Sequence, residues 1–299
     1  MKSGTEKRGI SLLNFDGTLR KQPLLRTYPG EWIDFSDLRG CHGYCSIDAL
    51  RRIRQRLHAR KHKRITLIGN GNYHYVTYLL LTEIRQPFSL ILFDHHTDLA
   101  AGDPISPDPA LHEPGPDDFA PDGVPPEDPS REGEIPVLSC GSWVSAALNT
   151  LPLLNRVVII GAHSSQRGCG RGSGAPGNVA GNVAGKVVVL SEQEVSRSTA
   201  KELAGSVLSA LPGVPVYVSV DKDVLDREHA VTNWDQGSMT LRQLLEVLRE
   251  LKRARTISGA DICGELPLSP VDALSGDRVR NVKKNEIANK AIVDVLLTG

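Results

Sequence analysis

Net charge is the first thing this chain lacks. Across its 299 residues Lys+Arg and Asp+Glu both number 35, so no global field draws it to nucleic acid or to an anionic membrane. Apolar runs of membrane-spanning length are also missing, which argues against a transmembrane helix. The segment Met1–Arg8 leads only into a short apolar strand and carries no signal-peptide pattern. Cysteines are few, odd in number and scattered: Cys41, Cys45, Cys140, Cys169 and Cys263. Without an export signal they are expected to be reduced thiols of a cytoplasmic protein. Cys41 and Cys45 flank His42, but no second pair follows, so they read as structural and not as a zinc site. The glycine-rich stretch Gly168–Gly185 lacks the Lys-Ser/Thr ending of a phosphate loop, and nucleotide binding is not expected.

What is present is an alternation of strand and helix signals. Strands are read at Ile10–Phe15, Ile65–Gly69, Leu90–Asp94, Leu154–Gly161, Lys186–Leu190, Val214–Asp221 and Thr256–Cys263. Helices are read at Ser46–Ala59, with Ser46 as N-cap, and at Tyr73–Thr82, Thr199–Leu211, Thr240–Leu251 and Val282–Leu297. Such alternation builds βαβ units, and the expected fold is a three-layer α/β/α arrangement with a mostly parallel central sheet, one domain over residues 1–299. A Pro- and acid-rich insertion at about 103–136 interrupts it. This segment has too few apolar residues to fold alone and reads as a long loop at the mouth of any site beyond the strand ends. It is either a tolerated surface insertion or an acidic lid that screens cationic substrates.

Three strand ends carry the chemistry. Leu90-Ile91-Leu92-Phe93 runs into Asp94-His95-His96-Thr97-Asp98, and on extended backbone Asp94, His96 and Asp98 would share one side. Val216-Tyr217-Val218-Ser219-Val220 ends in Asp221-Lys222-Asp223, with Lys222 pointing away from the two aspartates. Ile65-Thr66-Leu67-Ile68 enters the turn Gly69-Asn70-Gly71-Asn72-Tyr73-His74. Together they supply four aspartates and two histidines with no thiolate, a donor set suited to a pair of hard or borderline divalent cations, Mn²⁺ before Zn²⁺. In parallel sheets ligands bind beyond the carboxyl ends of the strands, where all three stretches fall.

These stretches resemble the signatures of the ureohydrolase family (arginase, agmatinase, formiminoglutamase): Gly-Gly-Asp-His, Asp-x-His-x-Asp and Ser-x-Asp-x-Asp-x-x-Asp-Pro. The resemblance covers roughly residues 64–265 and retains all six ligands in order. It implies two Mn²⁺ per chain, one held by His74, Asp94, Asp98 and Asp221 and the other by His96, Asp94, Asp221 and Asp223. It implies a hydrolase in which a metal-bridging hydroxide attacks a linear, non-peptide C–N bond of a guanidino or amidino compound. Asp98 would orient the hydroxide. Glu265, in Asp261-Ile262-Cys263-Gly264-Glu265, resembles the family glutamate that meets the substrate guanidinium, displaced by one residue. Family members often form homo-oligomers.

Departures from the pattern bear on the substrate. The family's His-Gly dipeptide is replaced by Cys140-Gly141, which makes Cys140 a catalytic candidate, with His95, His112 and His163 as alternative proton carriers. The contacts that hold an amino acid's α-carboxylate in arginase are not evident, Arg227 replaces a proline, and Trp234 stands in a loop of small residues. Trp234 is either a pocket wall or a packed aromatic. These changes point away from plain arginase, toward another small guanidino or amidino substrate or a modified peptide side chain. Two further readings stand beside this one. A zinc-dependent deacetylase-type amide hydrolase would leave His74 and Asp98 idle, and a non-catalytic relative would keep the metals for stability alone.

Overall fold

A computed structural model describes residues 9–100, 138–163, 184–267, 269 and 271–298. The acidic insertion, the glycine-rich near repeat up to residue 183, His112 and Cys169 lie outside the described residues. In chain order the elements are β1 (Ile10–Asn14), β2 (Gly30–Asp34), β3 (Tyr44–Cys45), α1 (Ile47–His58), β4 (Ile65–Leu67), α2 (Val76–Leu81), β5 (Phe88–Phe93) and β6 (Leu138–Ser139). They continue with α3 (Trp143–Thr150), β7 (Leu154–Ala162), β8 (Val187–Ser191), α4 (Glu192–Arg197), α5 (Ala200–Ala210), β9 (Val216–Asp221), α6 (Leu241–Ala254), β10 (Ile257–Cys263) and α7 (Gly276–Leu297).

Eight strands form one sheet in the order β2-β1-β4-β10-β9-β5-β7-β8, and every pairing in it is parallel. Parallel strands need covered faces, and the sequence supplies them. All six residues of β5 are buried. Leu90 and Leu92 pack with Ile53, Tyr78 and Trp143 on one face, while Ile91 and Phe93 pack with Leu203, Leu244 and Ile292 on the other. Helices α1–α3 therefore cover one side and α4–α7 the other. Polar N-caps start the helices where the hydrophobic pattern changes: the Ser46 side chain accepts from Ala49 N, and Thr199 and Thr240 form capping boxes with Glu202 and Gln243.

The late strands β9 and β10 insert between the early ones, β4 and β5. The carboxyl ends of β4, β10, β9 and β5 are thereby brought side by side at a reversal of strand order, the position where such sheets bind ligands. No helix among the described residues is long and apolar enough to cross a membrane.

Three features depart from the expectation. The edge strand β2, Gly-Glu-Trp-Ile-Asp, is half exposed along its length, so it lacks the apolar run that marks a central strand. Helix α3 is short and follows the insertion without an N-cap bond. Helix α7 begins at Gly276, six residues before Val282, because its first turns are solvated and show no apolar stripe. Since Ile91 is wholly buried in β5, Ile91→Ala is expected to cost about 2–5 kcal/mol. Urea denaturation checks this, and a loss under about 1 kcal/mol would mean that the core is looser than described.

Candidate metal centre

The Asp94–Asp98 segment leaves β5 as a bend and not as extended strand. This corrects the period-two argument, although the side chains still converge. His96 N donates to Asp94 Oδ1 at 2.6 Å, which curls the chain back on itself. Asp98 takes a positive φ of 51°, uncommon for any residue but glycine, so the turn holds strain at this point. It is pinned there by Trp143 Nε1, which donates to Asp98 Oδ2 at 2.6 Å. Beyond it, Ala100 N donates to Gly141 O at 2.9 Å.

At the end of β9, Asp221 Oδ1 accepts from Asp223 N at 3.0 Å and opens a 3-10 turn, Lys222–Val224. Asp223 Oδ1 in turn accepts from His95 N at 3.0 Å. After β4, Asn70 Oδ1 accepts from Asn72 N at 3.0 Å in the turn Gly71–Tyr73, which ends on His74. A β-carbon at Gly71 would lie 3.0 Å from Asp221 Oδ2 and 3.3 Å from Trp234 Cδ1, so this position leaves little space for a side chain.

The protonation of His74 follows from its neighbours. Ser219 Oγ donates its proton to Asp261 Oδ1 at 2.8 Å, so at 2.9 Å from His74 Nε2 it acts as acceptor and Nε2 carries the hydrogen. His74 Nδ1 then faces Asp98 Oδ2 at 3.2 Å, Asp94 Oδ2 at 3.3 Å and Asp221 Oδ2 at 3.5 Å. With Nε2 committed to Ser219, Nδ1 in this buried site either carries a proton, as the raised pKa of His74 implies, or meets a cation shared with the three carboxylates. His96 Nδ1 repeats the arrangement at 2.8 Å from Asp223 Oδ2 and 3.6 Å from Asp94 Oδ1.

The electrostatics say the same. Burial alone would raise the Asp94 carboxyl, but hydrogen bonds from His74 and His96 outweigh it and hold the group at about 2. Burial and the neighbouring Asp94 charge push Asp98 up to about 6. Burial, then Asp221 and Asp94, push Asp223 well above the usual carboxylate range. Against its partial burial, Asp223 and Asp94 lift His96 to about 11. Fully ionised, the four carboxylates would exceed two protonated imidazoles by two negative charges, which is why Asp98 and Asp223 hold on to protons here. Oxygen and imidazole donors with excess negative charge fit divalent cations, which would replace the protons now crowded there. His74, Asp94 and Asp98, and likewise Asp94, His96 and Asp223, each offer donor atoms within 4.8 Å of one another.

A cavity of about 390 Å³ opens onto these residues. Its wall includes Cys140, whose thiol is pushed up to about 11 by burial and by Asp98 and so keeps its proton at neutral pH. Trp234 is a wall and not a core residue. It is 39% exposed, with Nε1 donating to Asn72 Oδ1 at 2.9 Å and its ring edge-on to His96 at 5.7 Å. Asn72 Nδ2 is in turn 2.8 Å from His42 Nε2.

The sequence profile of the arginase family matches residues 14–271. The chain belongs to the arginase family. An uncharacterized protein of Thermotoga maritima is 28% identical over 256 residues, 86% of this chain and 79% of that one. The fold matches the solved arginase of Bacillus subtilis with a TM-score of 0.61 at 16% identity, covering 98% of this chain and 99% of that one. It also matches formimidoylglutamase of Bacillus subtilis with a TM-score of 0.60 at 15% identity, covering 99% and 88%.

Within this arginase-family scaffold Glu265 does not reach the cleft, contrary to the expectation that it meets a guanidinium. Gly264, at a φ of +83°, turns the chain after β10, and a β-carbon there would lie 2.4 Å from Asp221 Oδ1. The extra residue carries Glu265 past the cavity into a buried network. There its carboxylate pairs with the wholly buried Lys222 ammonium. It also accepts from Asn289 Nδ2 at 2.6 Å, Gln22 Nε2 at 2.7 Å and Asn285 Nδ2 at 3.2 Å. His95 is buried behind His96, and His163 lies against it at 5.4 Å between ring centres. Neither is on the cavity wall. Sequence reasoning missed Trp143 as the partner of Asp98, and Ser219 and Asp261 as the relay behind His74. Ser219 had a signal as the serine of the third motif and Asp261 as the aspartate of the segment that ends in Glu265, whereas Trp143 had none.

Removing one member of the Lys222–Glu265 pair leaves a buried charge alone. Lys222→Met is therefore expected to cost about 3–5 kcal/mol, with much of it restored in Lys222→Met/Glu265→Gln. Urea unfolding of the single and double variants measures both, and a neutral single variant would contradict the buried pairing.

Proposed function

We propose that this arginase-family chain is a metal-dependent hydrolase that binds two divalent cations and cleaves a linear C–N bond of a guanidino or amidino compound. The observation that carries the reading is Asp94, whose two oxygens face different imidazoles, Oδ2 at 3.3 Å from His74 and Oδ1 at 3.6 Å from His96. A carboxylate so placed links two ion positions, one set by His74, Asp98 and Asp221 and the other by His96 and Asp223. The oxygen-rich set suits Mn²⁺. Cations bound there would supply a water activated for attack near neutral pH and compensate the excess negative charge.

The chain's own groups do the rest. Asp98, fixed by Trp143, orients the attacking water and accepts its proton. Cys140, which keeps its thiol proton on the cavity wall, serves in this reading as the acid that protonates the departing amine. Trp234 offers a flat face to a planar, delocalised amidine head. The name of formimidoylglutamase, a structural neighbour, is consistent with an amidino substrate class. The deacetylase-type reading needs neither His74 nor Asp98, yet these two lie 3.2 Å apart in the cluster. A small-molecule substrate, a cytoplasmic setting and a homo-oligomer belong to the same proposal.

Elemental analysis of chelator-free protein reconstituted with Mn²⁺ tests it. About two ions per chain are expected, falling in Asp221→Ala, together with urea or ammonia release in a screen of guanidino and amidino compounds. One zinc per chain that is retained in His74→Ala would favour the deacetylase-type reading, which leaves His74 idle, and no bound metal would overturn the catalytic reading. With a substrate in hand, Trp234→Ala is expected to raise KM roughly tenfold with kcat little changed, the loss of about 1.4 kcal/mol of stacking. An unchanged KM would remove Trp234 from substrate recognition.

A further inference from the structure

We infer that Cys263 is a metal ligand, placing one sulfur donor at the His74 ion position and selecting a borderline-soft divalent cation there, such as zinc, cobalt or iron(II). The inference rests on the proposed two-ion centre and goes beyond its oxygen and nitrogen donors.

Strand pairing fixes the position. In the parallel register of β10 against β9, Cys263 lies beside Asp221. Its Sγ is 3.1 Å from Asp221 Oδ2, the same oxygen that lies 3.5 Å from His74 Nδ1. Sulfur and imidazole nitrogen thus converge on one carboxylate oxygen. His74, Asp221 and Cys263 all offer donor atoms within 4.8 Å of one another, and all three are buried. The next residue permits this approach. Gly264, at a φ of +83°, has no side chain where a β-carbon would meet Asp221 Oδ1 at 2.4 Å and Lys222 N at 2.6 Å, so the strand end can press against Asp221. Cys140 also faces the cavity but belongs to none of these donor groups.

The sulfur now donates a hydrogen bond to Asp221 Oδ2. When the ion binds, a sulfur–metal bond replaces that hydrogen bond and the thiol proton passes to solvent, so neither oxidant nor reductant is involved. Thiolate donors favour zinc, cobalt and iron(II) over manganese, whereas the His96 position, with Asp94 and Asp223, keeps only hard and borderline donors. The consequence is a centre with two unlike positions.

Cobalt(II) reports this directly, because thiolate ligation gives an intense near-ultraviolet charge-transfer band that oxygen and nitrogen donors do not. The full chain is reconstituted with cobalt, and the band is expected in the unaltered protein and in Cys140→Ser. It should be lost in Cys263→Ser, which still binds cobalt through its remaining ligands. A band that persists in Cys263→Ser overturns the proposal. So does an unaltered protein that binds two cobalt ions without the band, an outcome that leaves the hydrolase reading intact. Failure to retain any cobalt overturns both. If Cys263→Ser does not fold, zinc-edge X-ray absorption of a protein in which Cys41, Cys45, Cys140 and Cys169 are all replaced by serine, so that Cys263 is the one thiol left, decides. A sulfur neighbour supports ligation by Cys263, and a shell of nitrogen and oxygen alone overturns it.

Discussion

Four carboxylates buried around two imidazoles form the constraint to which the rest of this structure answers. Like charges held this close repel, and each loses its hydration, so the cluster persists only if the surrounding chain leaves it no freedom to relax. The strands below provide that rigidity. Residues Phe88–Phe93 and Val216–Asp221 are buried throughout, and their ends are fixed by parallel pairing on both sides. The turns above them spend their polar atoms on one another. Asp94 holds His96 N, Asp221 holds Asp223 N, and Asp223 holds His95 N. Each aspartate thus uses one oxygen to shape backbone while the other faces an imidazole or its neighbours. The strain at Asp98 sits where function-bearing strain commonly collects.

The strand β9 feeds two polar systems of opposite character. Asp221 and Asp223 join the cluster with excess negative charge. Lys222, between them, enters a network in which every charge is matched: Glu265 faces its ammonium, and Asn289 Oδ1 accepts from Lys222 Nζ at 2.8 Å. Asn289 also donates to Gln22 Oε1 at 2.7 Å, and Asn285 Oδ1 accepts from Val231 N at 2.7 Å. This saturated network ties the turn near Gln22, the loop after β9 and helix α7 to the sheet directly beneath the cluster. A buried ion pair is weak evidence of net stability, but it is specific in geometry, and here it fixes three segments in one register.

Legibility in the sequence followed burial. The apolar runs of β5 and β9 announced themselves because both sheet faces are covered, and the ligands were legible because three short motifs each end such a run. β2 was not legible, since an edge strand with Glu31 and Asp34 carries no such run. The convergence of Asp94, His96 and Asp98 was foreseen for the wrong reason. It depends on a side-chain-to-backbone bond and a left-handed residue, which no periodicity encodes. Glu265 misled because one inserted residue, with a glycine turn, changes which side of the sheet end a side chain faces. Cys263 was read only as one of five scattered reduced thiols because an isolated cysteine has no spacing to read; the β9–β10 register is what brings it to Asp221.

Similarity of fold at 15–16% identity establishes the scaffold without defining what enters its cleft. With Glu265 engaged by Lys222, the discrimination that a carboxylate–guanidinium pair would give is absent from that position. Among the described residues the cavity wall that remains is dominated by Trp234, Cys140 and the turn after β4. That turn does two jobs at once. It ends on His74, and the side-chain oxygen Oδ1 of its Asn72 fixes the Trp234 ring by accepting from Nε1. Gly71 between them is hemmed in by Asp221 on one side and Trp234 on the other. Any side chain added there must displace a candidate ligand or the aromatic wall. The position of the His74 imidazole and the shape of the cleft are therefore set by the same few atoms, and a change that retunes one cannot leave the other where it was.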